Sequence, residues 1–373
     1  MKKKPTLRDV AKQAGVSPAS VSMILNGRNI SRFSAETIEL VYQTCRELDY
    51  VPKQQLRAVS KGIILLICPS MMNPYYATLI QSMDQEARTR GYLTLTFPTY
   101  WDKKAEEQIL KLAATPRIAG IVFAMIPQQP DLAVKIARNI PMVTVGDRSN
   151  TLNIDTVEIN NYEAGRMLAK HLITLGHKHV AYVSTSLNSE HTARLRRCHG
   201  LQDEYAQSCP EGSVTIYSQD VSSLRELNVT DIEHQVGYEL TMQCLEEAPR
   251  ITAIAAINDM VAYGVLDALA DSGKRIPEDL SVCGFDNIYP SRFHCVDLTS
   301  IEYAIEKRGR LSIRLLLEKL KGESELMDDN SIIKVEYQSQ LISRSSTGPA
   351  KAGQEDCKEK GPGIILPDPE NIG

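Results

Sequence analysis

Long apolar runs are missing from this 373-residue chain. No stretch approaches the roughly 20 consecutive apolar residues that span a bilayer. The basic start MKKKPTLRDV has no apolar segment behind it, so secretory export is not expected. The eight cysteines, at 45, 68, 198, 209, 244, 283, 295 and 357, form no C-x-x-C pair. Two of them, Cys68 in IILLIC and Cys283 in LSVCGF, sit inside apolar runs. That usage argues against a zinc ribbon or a disulfide framework and predicts reduced, structural thiols in the cytoplasm. Signatures of catalysis are missing too. No G-x-G-x-x-G follows a strand pattern, and there is neither a Walker A motif nor a G-x-S-x-G elbow. The one G-x-G, at Gly361 and Gly363, lies in the C-terminal segment. His177 and His179 alternate at a strand start without a third ligand at metal spacing. Neither an enzyme, nor a metal, nor a cofactor is expected.

What is present is ordinary globular composition, 43% hydrophobic and 24% charged, long enough for two or three domains. The charge is unevenly spread. Residues 1–61 hold 11 Lys/Arg against 5 Asp/Glu, whereas the rest holds 31 against 41. A small basic head on an acidic body implies a nucleic-acid module joined to something else.

The head reads as three short helices. Thr6 precedes LRDVAKQA, with Asp9 placed to complete a capping box. Gly15 supplies a turn at positive φ. Ser17 is an N-cap and Pro18 suits the first position of a second helix, about 18–26, which buries Val21, Ile24 and Leu25. A third helix runs from Ser34 to about Leu48, with Ile38, Val41, Cys45 and Leu48 inward. Two helices joined by a glycine turn make a helix-turn-helix. Its second helix would show Pro18, Ala19, Ser22, Met23 and Asn26 to a major groove. The hydroxyls of Thr6, Ser17 and Ser20 favour phosphate.

The stretches TLRDVAKQAGVSPASVSMILNG and SAETIELVYQTCRELDYVP resemble the head of the lactose-repressor (LacI/GalR) family of bacterial regulators. The family pattern T-x-x-D-V-A-x-x-A-G-V-S-x-x-x-V-S-x-x-L-N-G is nearly unbroken here. Departures sit on the recognition helix. Members often carry Arg or His where this chain has Met23, and a polar residue at Pro18 or Ala19. Arginine reads guanine through a bidentate pair, whereas Met and Ala can only pack on apolar edges such as thymine methyls.

In that family the segment corresponding to 51–62, VPKQQLRAVSKG, becomes a hinge helix on operator DNA, with a Leu wedged into the minor groove. Here Lys53 replaces Asn, Leu56 replaces a small residue and Val59 stands where the Leu is expected, while Arg57 matches. Either Val59 or Leu56 is then the wedge, or the segment is a basic linker. The DNA-facing set implied is Thr6, Leu7, Ser17, Pro18, Ala19, Ser22, Met23, Asn26, Arg28, Lys53, Leu56, Arg57 and Val59. Basic residues among Lys2, Lys3, Lys4, Arg8, Arg28, Arg32, Lys53 and Arg57 would attract phosphate.

From Ile63 short apolar runs alternate with amphipathic helices. The runs are 63–68, 92–97, 120–126, 141–145, 179–184, 252–257 and 280–285; helical patterns include 74–90 and 260–272. Such alternation predicts an α/β fold of parallel sheets covered on both faces. About ten such units exceed one sheet, so two lobes are expected, with the small-molecule site in the cleft between them.

The body also resembles the family's effector domain, whose fold is that of periplasmic sugar-binding proteins. NPYYATLI, VGDR, INNYEAGRMLAKHLITLGHKHVAYV, AAINDMVAYGVLDAL, RIPEDLSVCGFDN and LTSIE carry the match. The resemblance implies a helix-turn-helix domain at 1–50, a hinge at 51–62 and an effector and dimerisation domain at 63–345. The N-lobe would be about 63–160 and 297–322, and the C-lobe about 161–290 and 328–345. A flexible tail is expected at 346–373. Effector-contacting positions fall on Asn73, Tyr75, Tyr76, Asp147, Arg148, Arg197, Ile232, Asn258 and Asp286. Arg197 is chosen over Arg194 and Arg196 because it lies three residues before Gly200. Asp, Asn, Arg and Tyr suit a polyol such as a sugar. Two departures alter the pocket: Ile232 stands where an aromatic is frequent, and Tyr303 where Gln is common. Tyr75, Tyr76 or Trp101 would then supply stacking.

The resemblance implies a DNA-binding repressor, a homodimer on a near-palindromic operator, controlled by a small molecule and without membrane attachment. The alternatives are a ligand sensor with a non-functional DNA head, or a sugar- or nucleotide-processing enzyme. A dimer is expected over a tetramer because the tail carries no apolar heptads. Because Met23 cannot make the guanine pair, Met23→Arg should add a guanine preference to the half-site in selection from random duplexes; an unchanged motif would refute this.

Overall fold

The computed structural model describes residues 5–25, 32–48, 50, 61–113, 117–148, 151–188, 191–321 and 331–351. The head is built from α1 (Leu7–Gln13), α2 (Pro18–Leu25) and α3 (Ala35–Glu47). The capping box forms in full: the Asp9 amide donates to Thr6 Oγ1 at 3.4 Å, and the Thr6 amide donates to Asp9 Oδ2 at 2.7 Å. Gly15 turns the chain at φ +68° in open space, so backbone conformation selects glycine there. Ser17 Oγ accepts from the Ser20 amide at 3.0 Å, and Ser34 Oγ accepts from Thr37 at 3.2 Å. Val10, Ala11, Val21, Ile24, Val41 and Cys45 close one small core.

The body holds two six-stranded sheets. The first comprises β1 (Ile63–Cys68), β2 (Leu93–Pro98), β3 (Ile118–Phe123), β4 (Met142–Asp147), β5 (Asp155–Ile159) and β11 (Lys334–Tyr337), in the order β11-β5-β4-β3-β1-β2. All its pairings are parallel. The second comprises β6 (His179–Thr185), β7 (Ser213–Gln219), β8 (Ala253–Ala256), β9 (Ser281–Asp286), β10 (Thr299–Glu302) and β12 (Gln340–Ile342). Its order is β12-β10-β9-β8-β6-β7, with only β12 antiparallel.

Helices α4 (Pro74–Thr89), α5 (Lys103–Ala113), α6 (Pro130–Ala137) and α12 (Ile305–Lys321) cover the first sheet. Residues of β1 alternate between its two faces: Ile64, Leu66 and Cys68 meet α4 and α12, whereas Leu65 and Ile67 meet α5 and α6. This double burial is why the strand reads as one continuous apolar run. Helices α7 (Asn161–Thr174), α8 (Thr192–Ser208), α10 (Ile232–Glu247) and α11 (Asp259–Asp271) pack on the second sheet. The short α9 (Ser223–Asn228) lies between β7 and α10 in the chain. No described helix is long and apolar enough to cross a membrane. The seven described cysteines are free, and all but Cys295 are buried. Burial pushes the Cys68 thiol up to about 12, out of reach of thiolate chemistry at neutral pH.

The lobe boundaries differ from expectation around β10 and around β11. β10 lies in the second sheet, not the first, because Thr299–Glu302 pairs with Cys283–Asp286. β11 lies in the first sheet, not the second, because Lys334–Tyr337 pairs with Thr156–Ile159. The expected flexible tail also begins too early. Ser346 is buried and accepts from the Val282 amide at 2.8 Å, and the Ala350 amide donates to the Leu175 carbonyl at 2.8 Å. His177 holds this segment, donating Nε2–H to the Gly348 carbonyl at 3.0 Å, so its role is structural. Residues 352–373 lie outside the described residues.

Helices α7 and α8 touch backbone to backbone. A Cβ on Gly165 would stand 2.1 Å from the Arg197 carbonyl, and one on Gly200 would stand 2.0 Å from that of Tyr162. Gly200→Ala should therefore destabilise the body by at least about 1–3 kcal/mol, as overpacking does. Denaturant melts of the variant would show a lowered midpoint, and an unshifted midpoint would exclude this contact as a constraint.

Candidate functional site

The carboxyl ends of both sheets face a cleft with an empty volume of about 1190 Å³, its open mouth included. Parallel sheets leave their ligand crevices at these ends, where the strand order reverses. In each sheet the first strand in the chain is flanked by the second and third, which puts that reversal beside β1 and beside β6. Ser70 and Asn73 enter the cleft after β1, Ala124–Ile126 after β3, and Asp147 at the end of β4. The second lobe adds Asn258 after β8, Asp286 at the end of β9, and the start of α8.

Two asparagines begin helices at opposite walls. Asn73 Oδ1 accepts from the Tyr75 amide at 2.9 Å and Asn258 Oδ1 from the Val261 amide at 2.9 Å, which are N-cap bonds. Capping fixes each side chain and leaves its Nδ2 free to donate. Both donate to Glu233, Asn73 to Oε2 at 2.7 Å and Asn258 to Oε1 at 2.7 Å. One carboxylate thus ties the first lobe to the second. A second tie runs through Asp147, whose Oδ2 accepts from Asn161 Nδ2 at 2.7 Å and whose Oδ1 pairs with Arg196 at 3.0 Å.

Arg197 forms the floor of the second lobe. It donates to Asn161 Oδ1 at 2.8 Å and to the Ile257 carbonyl at 2.7 Å, and pairs with Asp286 at 3.4 Å. Its guanidinium lies 5.0 Å from the Phe285 ring centroid and 4.9 Å from that of Tyr303. Tyr303 is wholly buried beneath it, so the phenol there supports Arg197. Burial pushes the Asp286 carboxyl up to about 7 against the lowering effect of Arg197. Burial, reinforced by Glu233, does the same to Glu226, also about 7. His191 goes the other way: burial and Arg194 push it down to about 3, so it is neutral.

Aromatic rings line one side. Tyr75 and Tyr76 meet edge to face at 5.0 Å, and Trp101 meets His191 at 4.6 Å. Trp101 stands at φ +59° and lies under Arg194, 5.7 Å from its ring centroid.

Asn73, Tyr75, Tyr76, Asp147, Arg197, Ile232, Asn258 and Asp286 all line this cleft. Arg148 does not: its exposed side chain turns to Glu336, 3.4 Å away, because β11 runs beside β5 at that edge. The sequence reasoning missed Glu233, Glu226, Asn161, His191 and Arg308. It also set Arg194 aside, although α8 brings both Arg194 and Arg197 to the cleft while Arg196 pairs with Asp147. The spacing of three between Arg194 and Arg197 was the available signal.

In the head, Thr6, Arg8, Ser17, Pro18, Ala19 and Arg32 are exposed, and Ser22 and Met23 are half-buried on α2. Leu7 is half-buried against the head core. Asn26, Arg28, Lys53, Leu56, Arg57 and Val59 lie outside the described residues, as do Lys2, Lys3 and Lys4.

Residues 6–53 match the model for bacterial regulatory proteins of the lacI family. Residues 61–340 match the model for periplasmic binding proteins and the sugar-binding domain of the LacI family. The chain belongs to the LacI family. A relative from Haemophilus influenzae (strain PittEE), the HTH-type transcriptional repressor PurR, is 30% identical over 348 residues, spanning 91% of this chain and 98% of that protein. PurR of Erwinia tasmaniensis is 29% identical over 86% of this chain and 92% of its own length. A LacI-family regulator from Silicibacter pomeroyi shares the fold, with a TM-score of 0.72 at 20% identity over 92% of this chain and 99% of that one. A ribose-bound LacI-family regulator from Enterococcus faecalis V583 aligns with a TM-score of 0.66 at 25% identity, over 78% of this chain and all of that one. As a LacI-family member, the chain is a DNA-binding transcriptional regulator with a ligand-binding effector domain.

The cleft acids make a pH signature. An unfolded carboxyl titrates near ~4. Between about 4 and about 7 the folded protein retains the Glu226 and Asp286 protons that the unfolded chain has lost. Their contribution to stability therefore falls as pH rises through that window and is constant above it. Relative to the parent, Glu226→Gln should gain stability between pH 5 and pH 8 in denaturant melts. A difference that is the same at both pH values would contradict the raised Glu226.

Proposed function

We propose that this LacI-family chain is a cytoplasmic homodimeric repressor of a near-palindromic operator, relieved or reinforced by a hydroxyl-rich small molecule in the interlobe cleft. The observation that carries the reading is the Glu233 bridge between two capping asparagines of opposite lobes. A ligand hydroxyl that takes the proton either Nδ2 now gives Glu233 displaces that carboxylate. Occupancy of the cleft then changes what holds the lobes together.

The proposed effector contacts are Asn73, Tyr75, Tyr76, Asp147, Arg197, Ile232, Asn258 and Asp286, with Arg194 and Trp101 added by their place in the cleft. Their chemistry supports a polyol: amides and carboxylates exchange hydrogen bonds with hydroxyls, and the rings cover apolar sugar faces. The sugar-binding family model supports the same class. In the head, Pro18, Ala19, Ser22 and Met23 are the proposed groove face, with Thr6 and Ser17 on phosphate. Two-fold symmetry of the dimer would set two half-sites in mirror order. No catalytic role is proposed for any residue.

Effector control on this scheme is a coupling free energy of typically ~1–3 kcal/mol between cleft and operator, equal in both directions. The test is selection of bound duplexes from a random library by the full-length protein at near-physiological salt. A palindromic motif is expected, with affinity that drops steeply as salt rises. Recovery of no motif by a folded dimer would refute the repressor and leave a ligand sensor.

A further inference from the structure

We propose that the effector carries an anionic group, a phosphate ester or a carboxylate, and that Arg308 and Tyr75 hold it; this rests on the cleft being the effector site. Arg308 lies on α12 of the first lobe, where the other buried residues are Gly309, Ser312, Ile313, Leu315, Leu316 and Leu317. It is the largest fully buried side chain among the described residues, 1% exposed, yet it lines the cleft.

A guanidinium carries five N–H donors and a permanent charge. Among the described residues, Arg308 uses one donor, from Nη1 to the Tyr75 hydroxyl at 3.0 Å, and its buried Nε has no partner. The three arginines of α8 are each committed to an acid: Arg194 to Glu233 at 3.9 Å, Arg196 to Asp147 at 3.0 Å and Arg197 to Asp286 at 3.4 Å. Arg308 forms no such ion pair among the described residues. Its field reaches Asp286, but Arg197 is the nearer partner of that acid.

Buried charges are paired, and one left alone marks a missing partner. Stability alone does not select this arrangement, because an apolar side chain would suit the inward face of α12 at lower desolvation cost. The geometry favours an anion from the cleft. The Tyr75 hydroxyl accepts from Arg308, which leaves its own proton to donate. Arg308 and Tyr75 therefore offer a charged fork and a hydroxyl to the same oxygens, the arrangement that suits phosphate and carboxylate. Asn73, Asn258 and Asp286 remain to take the hydroxyls of the same ligand.

The test uses the full-length protein, thermal melts and calorimetry, with inorganic phosphate and acetate as probes against chloride at constant ionic strength. Phosphate, acetate or both should raise the melting temperature saturably. Whichever acts identifies the ester or the carboxylate as the anion. Arg308→Met and Arg308→Gln should abolish the shift. Arg308→Met should also melt no lower than the parent without ligand, since the unpaired charge is gone. No shift with either anion, or a shift that persists in both variants, overturns the proposal. So does loss of stability in both variants without any anion effect in the parent, which would make Arg308 a packing residue. Operator affinity measured in parallel separates the two readings. Anion binding through Arg308 that leaves operator affinity unchanged keeps the anion site and removes effector control through it. Control by a neutral sugar that ignores Arg308 keeps effector control and overturns the anion site.

Discussion

Glu233 sits where two helices of different lobes begin, and its carboxylate is the acceptor both helix caps share. Each asparagine spends its Oδ1 on a backbone amide that the helix leaves unsatisfied, which fixes the amide plane and so the directions of its two Nδ2 donors. The carboxylate is held in turn by Arg194 at 3.9 Å. One carboxylate thus joins both capping asparagines and, with the Asp147 contacts, links the two lobes at the cleft. A ligand that takes the donor either cap now gives Glu233 competes with that carboxylate.

The rest of the cleft follows from taking charges out of water. Asp147, Asp286 and Glu233 each have an arginine beside them, and Asp147 also takes two bonds from Asn161. Buried charges of this kind are stable only when so paired. Asp259, wholly buried behind the cleft, shows the alternative. It has no arginine within pairing distance among the described residues, and accepts instead from Ser291 and Ser300 at 2.6 Å and from the Ile288 amide at 3.0 Å. Even so, burial pushes it up to about 6. These bonds anchor the loop after β9, where Asp286 stands at φ +103° with its carboxyl facing Arg197. Strain and buried charge therefore gather at the same strand end.

Legibility in the sequence tracked burial on both faces. β1, β3, β6, β8 and β9 lie inside their sheets, and each appears as an apolar run. β5 is equally interior but reads DTVEI, because Asp155 and Thr156 are consumed by Lys319, the Ile333 amide and Thr144. Its polar residues are invisible as a strand until their partners are known. β7 lies at an edge of the second sheet with mostly exposed positions, and β11 alternates as KVEY at an edge of the first, so neither produces a run. The cleft was legible where a residue sits at a strand end or a helix cap, as with Asn73, Asp147, Asn258 and Asp286. Arg308 lies within α12, and Glu233, in the first turn of α10, reads as an ordinary helix-start acid, so neither carries such a mark.

The sequence by itself determined the head, the α/β alternation and the sites at strand ends. Each is written in contacts of a few residues: the Thr6–Asp9 box, the glycine turn, the serine caps, the period of two or of 3.6. Only the tertiary structure decided that β10 and β11 exchange lobes, that Arg148 turns to Glu336 while Arg194 faces the cleft, and that Arg308 is buried without an acid among the described residues. Several such contacts join partners far apart in the chain, 160 positions for Asn73 and Glu233 and 233 for Tyr75 and Arg308. Local pattern carries no information about which distant group arrives, and in a low-dielectric cleft that arrival decides what a charge can do.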